Sequence, residues 1–460
     1  MNPFYNPIFL SKIAKAYLFD IQRLKKISND KLRKYQDRQF KKMVRFAYTV
    51  PLYHDKYKKA RVHPNDISGI KDLRKLPLIS KEDIKRYYPD GIISSKTSRE
   101  QLVEIATSGT TGKSLSIYVD MFDIVIGLFG YIRAIKEYEI NWRKHKLTII
   151  GDFAFHTAES GYVRKGLQPR LPFDFLFRNI QWLDTNDEPK KIIKKINRFN
   201  PDFIGGYVGM LGHLALLKEK GLGKNVSPKY IAATGAVLDK TLKEFIETTF
   251  DAHLFEVYGA TETGPIAFEC KQGGYHVMSD FLYLEFLKDN MPVKSGEAGK
   301  LVVTKLFGWG TPIIRYDAIN DIVSPRYEKC NCDISGEMIQ KIFGRDDLSL
   351  LLPGGRVLLP FSFSEIYSKV LYGLKTNKLK DTRIIQHNLT KIEIQIVIDK
   401  KIRDDSPSVE EIFSLVRKGF QEKVGPEVEI IVKEVKKVSK GGPRIISKVD
   451  KSKFRIKEYV

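Results

Sequence analysis

The stretch TSGTTGKS, from Thr107 to Ser114, decides how the rest of this sequence is interpreted. It contains two glycines, five hydroxyl side chains and one lysine, and it follows a mostly apolar run from Leu102 to Ala106. Glycines let the backbone turn sharply near a ligand, while hydroxyls, main-chain N–H groups and a lysine can surround a phosphate. The composition indicates a phosphate-binding loop, although a polar surface turn has similar residues.

The spacing of this stretch excludes a P-loop. That motif needs a glycine five residues before the glycine that precedes its lysine. The glycine before Lys113 is Gly112, and the residue five positions earlier is Thr107. The meaning of the stretch therefore depends on motifs elsewhere in the chain.

Two later motifs accompany it, namely YGATE from Tyr258 to Glu262 and GRDD from Gly344 to Asp347. In this order, the three motifs resemble the signatures TSGTTGxP, YGxTE and Gly-Arg-x-Asp of the adenylate-forming enzymes. That superfamily includes acyl-CoA synthetases, luciferases and peptide-synthetase adenylation domains. The chain departs from the first signature because Ser114 follows Lys113 and the proline is missing.

Flanking segments narrow the resemblance to the phenylacetate–CoA ligase branch, which includes capsule-biosynthesis homologues. The similar segments are YTVPLYHDKY (Tyr48 to Tyr57), LPLISKEDI (Leu76 to Ile84) and IRYDAIND (Ile314 to Asp321). The resemblance covers most of residues 40 to 350. It implies ATP-dependent activation of a small-molecule carboxylic acid to an acyl-adenylate, followed by thioester formation with coenzyme A. Two alternatives stay open: an adenylating acyl transferase of surface-polysaccharide biosynthesis, and a nucleotide-binding homologue without catalysis.

The resemblance also implies roles for individual residues. Tyr258 would offer its flat face to adenine, Thr261 a hydroxyl to the α-phosphate, and Glu262 a hard oxygen ligand to Mg²⁺. Gly259 belongs to the same motif. Gly235 and Ala236 lie where relatives border the adenine with backbone. The polyphosphate would lie on Thr107, Ser108, Gly109, Thr110, Thr111, Gly112 and Lys113.

A carboxylate is expected to hold the ribose hydroxyls, because it can accept two hydrogen bonds. In the family this acid usually lies four residues after the tyrosine of RYxxxD, whereas Asp321 lies five after Tyr316. Asp317 is a rival, but the apolar residues after Asp321 favour the latter. Arg345 is expected to reach the nucleotide, and Asp347 to be the hinge of a small lobe.

Relatives bring a C-terminal lysine to the reacting groups from a motif close to P-R-x-x-S-G-K. This chain reads VSKGGPRIISKVDKSKF from Val438 to Phe454, so the motif is degraded. Lys448 is the preferred candidate, and Lys440 and Lys453 fit other alignments. A solvated basic tail is the remaining interpretation. A cation at this place would stabilise charge that develops in the transition state.

All three cysteines lie in places that suggest a metal site. Cys270 precedes His276 by six residues, and Cys330 and Cys332 follow later in the chain. Three thiols with one imidazole are a common structural zinc set, although the spacing of the last pair is tighter than in zinc fingers. Three unrelated buried thiols are the alternative. We expect zinc to hold a loop near the acyl pocket rather than to take part in chemistry.

Composition excludes several other classes of protein. With 460 residues, 42% of them hydrophobic, the chain is long enough for two domains and a large core. The net charge of +23 suggests nucleic-acid binding, but the lysines are spread along the chain and no nucleic-acid motif appears. Three cysteines argue against a disulfide framework and for a cytoplasmic protein. A homodimer is left open.

The N-terminal residues predict an amphipathic helix rather than a signal peptide, because Lys12 and Lys15 interrupt the apolar run. Apolar residues from Leu10 to Leu24 recur at helical spacing, and no segment is apolar enough to span a bilayer. We expect this helix to pack on its own domain. Peripheral contact of residues 8–26 with an anionic membrane is the alternative.

The order of apolar segments predicts an α/β fold. Short apolar runs at Leu147 to Ile150, Phe203 to Ile204 and Tyr230 to Ala233 alternate with helical patterns, which is typical of parallel strands. The last hundred residues instead predict a ββαβ lobe. We therefore expect a large α/β domain with mostly parallel sheets at residues 1–343 and a small mobile α+β domain at residues 344–460.

Overall fold

A computed structural model describes residues 2–106, 115–154, 157–170, 177–438 and 444–459. The phosphate-loop candidates, Thr107 to Lys113, and the lysine candidate Lys440 lie outside these ranges. The helices are α1 (Pro7–Lys15), α2 (Arg23–Lys26), α3 (Asn29–Ala47), α4 (Pro51–Lys59), α5 (Lys81–Tyr87), α6 (Met121–Glu137), α7 (Pro189–Phe199), α8 (Val208–Glu219), α9 (Lys240–Phe250), α10 (Pro360–Leu371) and α11 (Val409–Val424). Two π-helical segments, Ala16–Asp20 and Ser160–Leu167, interrupt this pattern.

The strands before the hinge motif are β1 (Val103–Ala106), β2 (Ser116–Val119), β3 (Leu147–Gly151), β4 (Ile180–Asp184), β5 (Phe203–Tyr207), β6 (Tyr230–Thr234), β7 (His253–Ala260), β8 (Gly264–Glu269), β9 (Tyr275–Val277), β10 (Leu282–Lys288), β11 (Met291–Pro292), β12 (Gly299–Lys305), β13 (Asp321–Arg326) and β14 (Met338–Arg345). The later strands are β15 (Leu350–Leu351), β16 (Arg356–Leu358), β17 (Leu379–Asn388), β18 (Lys391–Ile398), β19 (Glu429–Glu434), β20 (Ile445–Ser447) and β21 (Glu458–Tyr459).

A large sheet organises the first part of the chain, in the order β11-β10-β12-β13-β14-β9-β8-β7-β6-β5-β3-β4 within the described residues. Its strands from β4 to β7 are parallel. Strands β3, β5 and β6 are the three apolar runs predicted from the sequence. Helices α7, α8 and α9 connect β4, β5, β6 and β7 in turn. The mixed α/β fold predicted from the sequence is therefore confirmed.

The parallel arrangement is limited to that half of the sheet. From β7 onward neighbouring strands are antiparallel. Short connections explain the change, because a parallel pair needs a crossover of a dozen or more residues. Between β10 and β11, for example, Asp289 and Asn290 form the turn with φ of 51° and 61°. The expectation of mostly parallel sheets thus holds only for β3 to β7.

The last hundred residues form the predicted ββαβ arrangement from β17, β18, α11 and β19, and β20 adds a parallel strand beside β17. Helix α11 begins after Ser408, whose hydroxyl accepts a hydrogen bond from Glu411 N. Helix α10 contacts the larger part of the chain, where the hydroxyl of Ser364 donates to Asp239 at 2.8 Å. The division at residue 344 stays a prediction.

The N-terminal region packs along the large sheet, and α4 begins at Pro51 soon after the end of α3. Helix α5 begins at a capping box formed by Ser80 and Asp83. Throughout the ranges given above, the helices are too short or too polar to cross a bilayer.

Candidate functional site

A cavity of about 2350 Å³ opens where the parallel strands β5, β6 and β7 end. Loops after parallel strands meet at one edge of a sheet, which is where α/β proteins bind ligands. The walls include the nucleotide-site candidates that the structure describes, namely Gly235, Ala236, Tyr258, Gly259, Thr261, Glu262, Asp321 and Arg345. Residues that lie up to 110 positions apart in the sequence are therefore brought to one cavity.

The YGATE motif lies at the end of β7 and in the turn that follows. The hydroxyl of Tyr258 donates a hydrogen bond to Asp321 Oδ2 at 2.5 Å. The hydroxyl of Tyr316 donates to Glu262 Oε1 at 3.1 Å. Both acids are thus held by a tyrosine, which limits the positions that the two carboxylates can adopt.

Gly235 follows β6 with a positive φ of 80°, a conformation that favours glycine. A β-carbon at this position would overlap the ring of Tyr207. Backbone atoms of Gly235 and Ala236 can therefore border the cavity closely, as the resemblance implied.

The two rival acids lie in different surroundings. Asp321 begins β13 beside Arg345 of β14 and lines the cavity. Asp317 is absent from the cavity wall, and its carboxylate lies 3.5 Å from Lys300 Nζ. The geometry favours Asp321 as the acid that faces a ligand.

Arg345 and Asp347 form a two-pronged ion pair. Arg345 Nε lies 2.8 Å from Oδ1 of Asp347, and Nη2 lies 2.7 Å from Oδ2. Arg345, which we expect to reach the nucleotide, is thus oriented by Asp347, which we expect to be the hinge. This geometry leaves the guanidinium at the cavity wall beside Asp321.

Burial changes the acidity of both carboxylates. Desolvation raises the pKa of Asp321 to about 6, while the Tyr258 hydrogen bond and the Arg345 charge oppose the rise. Desolvation also raises the pKa of Glu262, against the opposing hydrogen bond from Tyr316 and the charge of Lys81. A nearby cation favours the ionised form of a carboxyl group. The site is therefore electrostatically suited to a ligand that brings positive charge or hydrogen-bond donors.

Lys448 and Lys453, the two C-terminal lysine candidates that the structure describes, lie away from the cavity wall. Lys448 Nζ is 3.3 Å from His387 Nδ1, and the exposed Lys453 lies 3.8 Å from Asp450. Neither is among the described residues that line the cavity. The role of a lysine from this region stays a prediction.

Sequence reasoning missed two residues beside these motifs. Lys81 lines the cavity at the start of α5, and the hydroxyl of Tyr162 donates to the carbonyl oxygen of Thr261 at 3.3 Å. Lys81 belongs to the segment LPLISKEDI, so the resemblance contained a signal for it. Tyr162 lies in a π-helical segment without a motif, and only the tertiary structure reveals its contact.

The three cysteines and His276 form one cluster, whose ligand atoms all lie within 4.8 Å of one another. The sulfurs of Cys270 and Cys330 are 3.8 Å apart, and Cys332 Sγ lies 3.0 Å from His276 Nε2. Two sulfurs on a tetrahedral zinc at ~2.3 Å would lie about 3.8 Å apart. Burial lowers the pKa of His276 to about 4, which keeps the imidazole in its neutral, ligating form.

The cluster connects β8 and β9 to the loop before β14. That loop holds the N-terminal region, since Ser335 N donates to Leu24 O at 2.8 Å and its hydroxyl donates to Ile27 O at 2.6 Å. Tyr275, next to His276, lines the cavity and donates to the carboxylate of Glu256. The cluster therefore supports the cavity indirectly.

Comparison with known proteins agrees with these motifs, although no protein-family model matches the chain. The phenylacetate–coenzyme A ligase of Thermus thermophilus is 24% identical over 361 residues, which cover 73% of this chain and 75% of that protein. Protein CapK of Staphylococcus aureus is 22% identical over 394 residues, covering 84% of this chain and 82% of CapK.

The fold matches a solved 2-hydroxyisobutyryl-CoA ligase in the post-adenylation state with an acyl-adenylate. The TM-score is 0.70 with 16% sequence identity, and the match covers 92% of this chain and 88% of that structure. This protein is a homologue of the phenylacetate–coenzyme A ligases and of CapK, with the fold of the acyl-CoA ligases in the adenylate-forming superfamily.

Proposed function

We propose that the protein activates a carboxylic acid with ATP and then transfers the acyl group to coenzyme A. A carboxylate oxygen attacks the α-phosphorus, the bond to the β-phosphate oxygen breaks, and pyrophosphate leaves. The thiolate of coenzyme A then attacks the acyl carbon, and AMP leaves with the electrons of the broken carbon–oxygen bond. The convergence of YGATE, Asp321 and Arg345 on one cavity carries this proposal.

The nucleotide would lie across the ends of β6 and β7. In this arrangement Tyr258, Gly235 and Ala236 border the adenine, and Asp321 accepts hydrogen bonds from the ribose hydroxyls. Thr261 and Arg345 contact the phosphate and ribose region, and the segment from Thr107 to Lys113 holds the polyphosphate. Substrates held in a reactive geometry need little further ordering, which is a major part of the catalytic effect.

Glu262 is the residue that would hold Mg²⁺. A carboxylate is a hard oxygen ligand, and the buried position makes its ionised form depend on a nearby cation. When bound, the ion neutralises phosphate charge. Tyr316 keeps one carboxylate oxygen in place, so the other oxygen can face the cavity.

The cluster of Cys270, His276, Cys330 and Cys332 would hold a structural Zn²⁺. Three thiolates and one imidazole complete a tetrahedral set, and such closed sites contribute to folding rather than to chemistry. Their separations support the assignment. When bound, the ion would fix the loop before β14 against the N-terminal region.

A second candidate function keeps the adenylation step and changes the acceptor. It is the adenylating acyl transferase of surface-polysaccharide biosynthesis that the sequence left open, and the similarity to CapK over 84% of this chain supports keeping it. A non-catalytic nucleotide-binding homologue is the third candidate, because neither Lys448 nor Lys453 lines the cavity in the described part of the chain.

The remaining expectations concern the chain as a whole. Residues 344–460 would swing about Asp347 between the two half-reactions, as small lobes that complete an active site do. We expect a small-molecule carboxylic acid as the binding partner and do not expect nucleic acid to bind. A cytoplasmic location, a homodimer and peripheral membrane contact by residues 8–26 are predictions from the sequence.

The decisive experiment is carboxylate-dependent exchange of pyrophosphate into ATP, with the nucleotide product identified. We expect exchange with at least one acid of a diverse mixture and AMP as the product once coenzyme A is added. ADP as the product would contradict adenylation. Exchange without any thioester would favour the CapK-like alternative, and ATP binding without exchange would favour the non-catalytic one.

A further inference from the structure

The cavity extends well beyond the nucleotide residues, beneath the N-terminal segment. Its walls include six side chains from the first 18 residues, namely Phe4, Leu10, Ile13, Ala14, Tyr17 and Leu18. The volume of about 2350 Å³ exceeds the roughly 300–1,000 Å³ that holds a drug-sized ligand. A nucleotide and a small acid would therefore leave part of the cavity unfilled.

Helix α6 forms a long apolar wall of this cavity. Ile124, Leu128, Ile132 and Ile135 line it at a spacing that places them on one helix face. From the first to the last of them the helix rises about 16 Å. Asp123, Arg133 and Glu137 of α6 lie on other faces and form ion pairs. The amino group of Lys136 lies 5.5 Å from the centroid of the Tyr17 ring.

The N-terminal segment is held over the cavity at two places. Its Asn2 Nδ2 donates to the carbonyl oxygen of Arg170 at 2.7 Å. Tyr17 packs edge-to-face on Phe129 of α6, with ring centroids 5.7 Å apart. The segment therefore bridges the end of the π-helical region and α6.

Helix α1, within this segment, has no buried residue although it is rich in apolar side chains. Leu10 and Ile13 face the cavity, while Ile8 is 68% exposed and is not part of the cavity wall among the described residues. Exposing apolar side chains to water is unfavourable. Ligand-binding cavities nevertheless have apolar walls, because the bound ligand covers those side chains.

We propose that the acyl substrate is a carboxylic acid with an extended apolar chain. Its carboxylate lies at Thr261 and Glu262, and its chain lies along α6 beneath α1. This substrate class rests on the proposed adenylation function. A compact acid would occupy only the part of the cavity near the YGATE motif and would leave the space along α6 unfilled.

The test uses the full-length protein in pyrophosphate exchange with butanoate, octanoate, dodecanoate and phenylacetate. We expect KM to fall at least tenfold from butanoate to dodecanoate, with a smaller change in kcat, because added methylene groups are buried without altering the reacting carboxylate. Equal KM values for the straight-chain acids, or the lowest KM for phenylacetate, would overturn the proposal.

A matched pair of substitutions in α1 locates the chain. Leu10→Glu should raise KM for dodecanoate at least tenfold more than it raises KM for butanoate. Ile8→Glu, on the outer side of the same helix, should change none of these values, and equal thermal melting of both variants controls for folding. Equal effects of the two substitutions on dodecanoate would contradict the proposal.

Calorimetric titration of dodecanoate separates this proposal from the adenylation function. Suppose that the protein shows no exchange activity but binds dodecanoate, and that Leu10→Glu weakens this binding at least tenfold. This result would support the apolar site and reject adenylation. Exchange with butanoate but no measurable binding of dodecanoate would reject the extended chain and retain adenylation.

Discussion

The hydroxyl of Tyr258 donates a 2.5 Å hydrogen bond to Asp321, which joins residues 63 positions apart. Tyr258 lies on β7, the last strand of the parallel part of the large sheet, and Asp321 begins the antiparallel strand β13. The two motifs therefore meet only after the sheet has formed. The bond fixes both the proposed adenine contact and the proposed ribose contact. A substitution of either residue should therefore disturb the position of the other side chain.

Asp321→Asn should stabilise the ligand-free protein at pH 7 and weaken ATP binding. Burial raises the pKa of Asp321 to about 6 from a usual 3.8, so the fold favours the protonated acid. That stabilisation is present below pH 3.8 and is lost as the pH rises through about 6. The two-unit rise corresponds to at most about 3 kcal/mol. Thermal unfolding of the wild-type protein and of Asp321→Asn at pH 4 and pH 7 measures this difference in stability.

The matched control for this change is Asp317→Asn, because Asp317 does not line the cavity. It should leave ATP affinity unchanged. A lower melting temperature of Asp321→Asn at pH 7 would show that the charged form is stabilised in the fold, contrary to our expectation.

Glu262→Gln should lower pyrophosphate exchange by about two to three orders of magnitude, the usual effect of losing one preorganised electrostatic contact. The amide keeps the shape and can still accept the Tyr316 hydrogen bond, so the fold should persist. Tyr316→Phe should have a smaller effect, mainly as a higher Mg²⁺ requirement. Wild-type exchange by Glu262→Gln at saturating Mg²⁺ is the result that would exclude Glu262 as the metal ligand.

Purified protein should contain about one zinc per chain, and Cys332→Ser should lower both the zinc content and the melting temperature. The Ser335 contacts to Leu24 and Ile27 transmit the loss to the N-terminal region. Metal analysis and thermal unfolding measure these effects, with intrinsic ATP affinity as the unaffected control. A protein that is free of zinc and equally stable after chelation would refute the site.

Arg133→Ala should destabilise the fold by up to about 3–5 kcal/mol, because Asp280 stays buried and keeps only Arg23, 3.3 Å away, as an ion-pair partner. Arg133 Nη2 lies 2.7 Å from Asp280 Oδ2, and both side chains are buried. Arg99→Ala is the control, since its pair with Asp90 is largely exposed and should contribute little. Chemical denaturation compares the two, and equal losses would count against the burial argument.

Single alanine substitutions at Lys440, Lys448 and Lys453 should show which lysine acts in adenylation. We expect Lys448→Ala to lose several orders of magnitude in exchange rate while still binding ATP, because a cation near the attacked phosphate stabilises developing charge. The other two variants serve as controls for each other. If all three retain the wild-type rate, the catalytic charge comes from another residue.

Much of the fold could be predicted because it depends on local patterns. Apolar runs between amphipathic helices define β3, β5 and β6, and alternation along Ile392 to Ile398 defines β18. The antiparallel half of the sheet was not predicted. Its pairing follows from short turns and from contacts between distant strands, which periodicity within one segment does not reveal.

The sequence by itself determined the residue types available to this protein, through three motifs, four side chains of a predicted metal site and an amphipathic N-terminal segment. Only the tertiary structure decided that Asp321 rather than Asp317 faces the cavity and that Cys270 and Cys330 lie 3.8 Å apart. It also placed α1 over the apolar wall of α6. The physical reason is that residue types are local, whereas burial, hydrogen bonding and cavity shape arise from segments that meet only when the sheet is assembled.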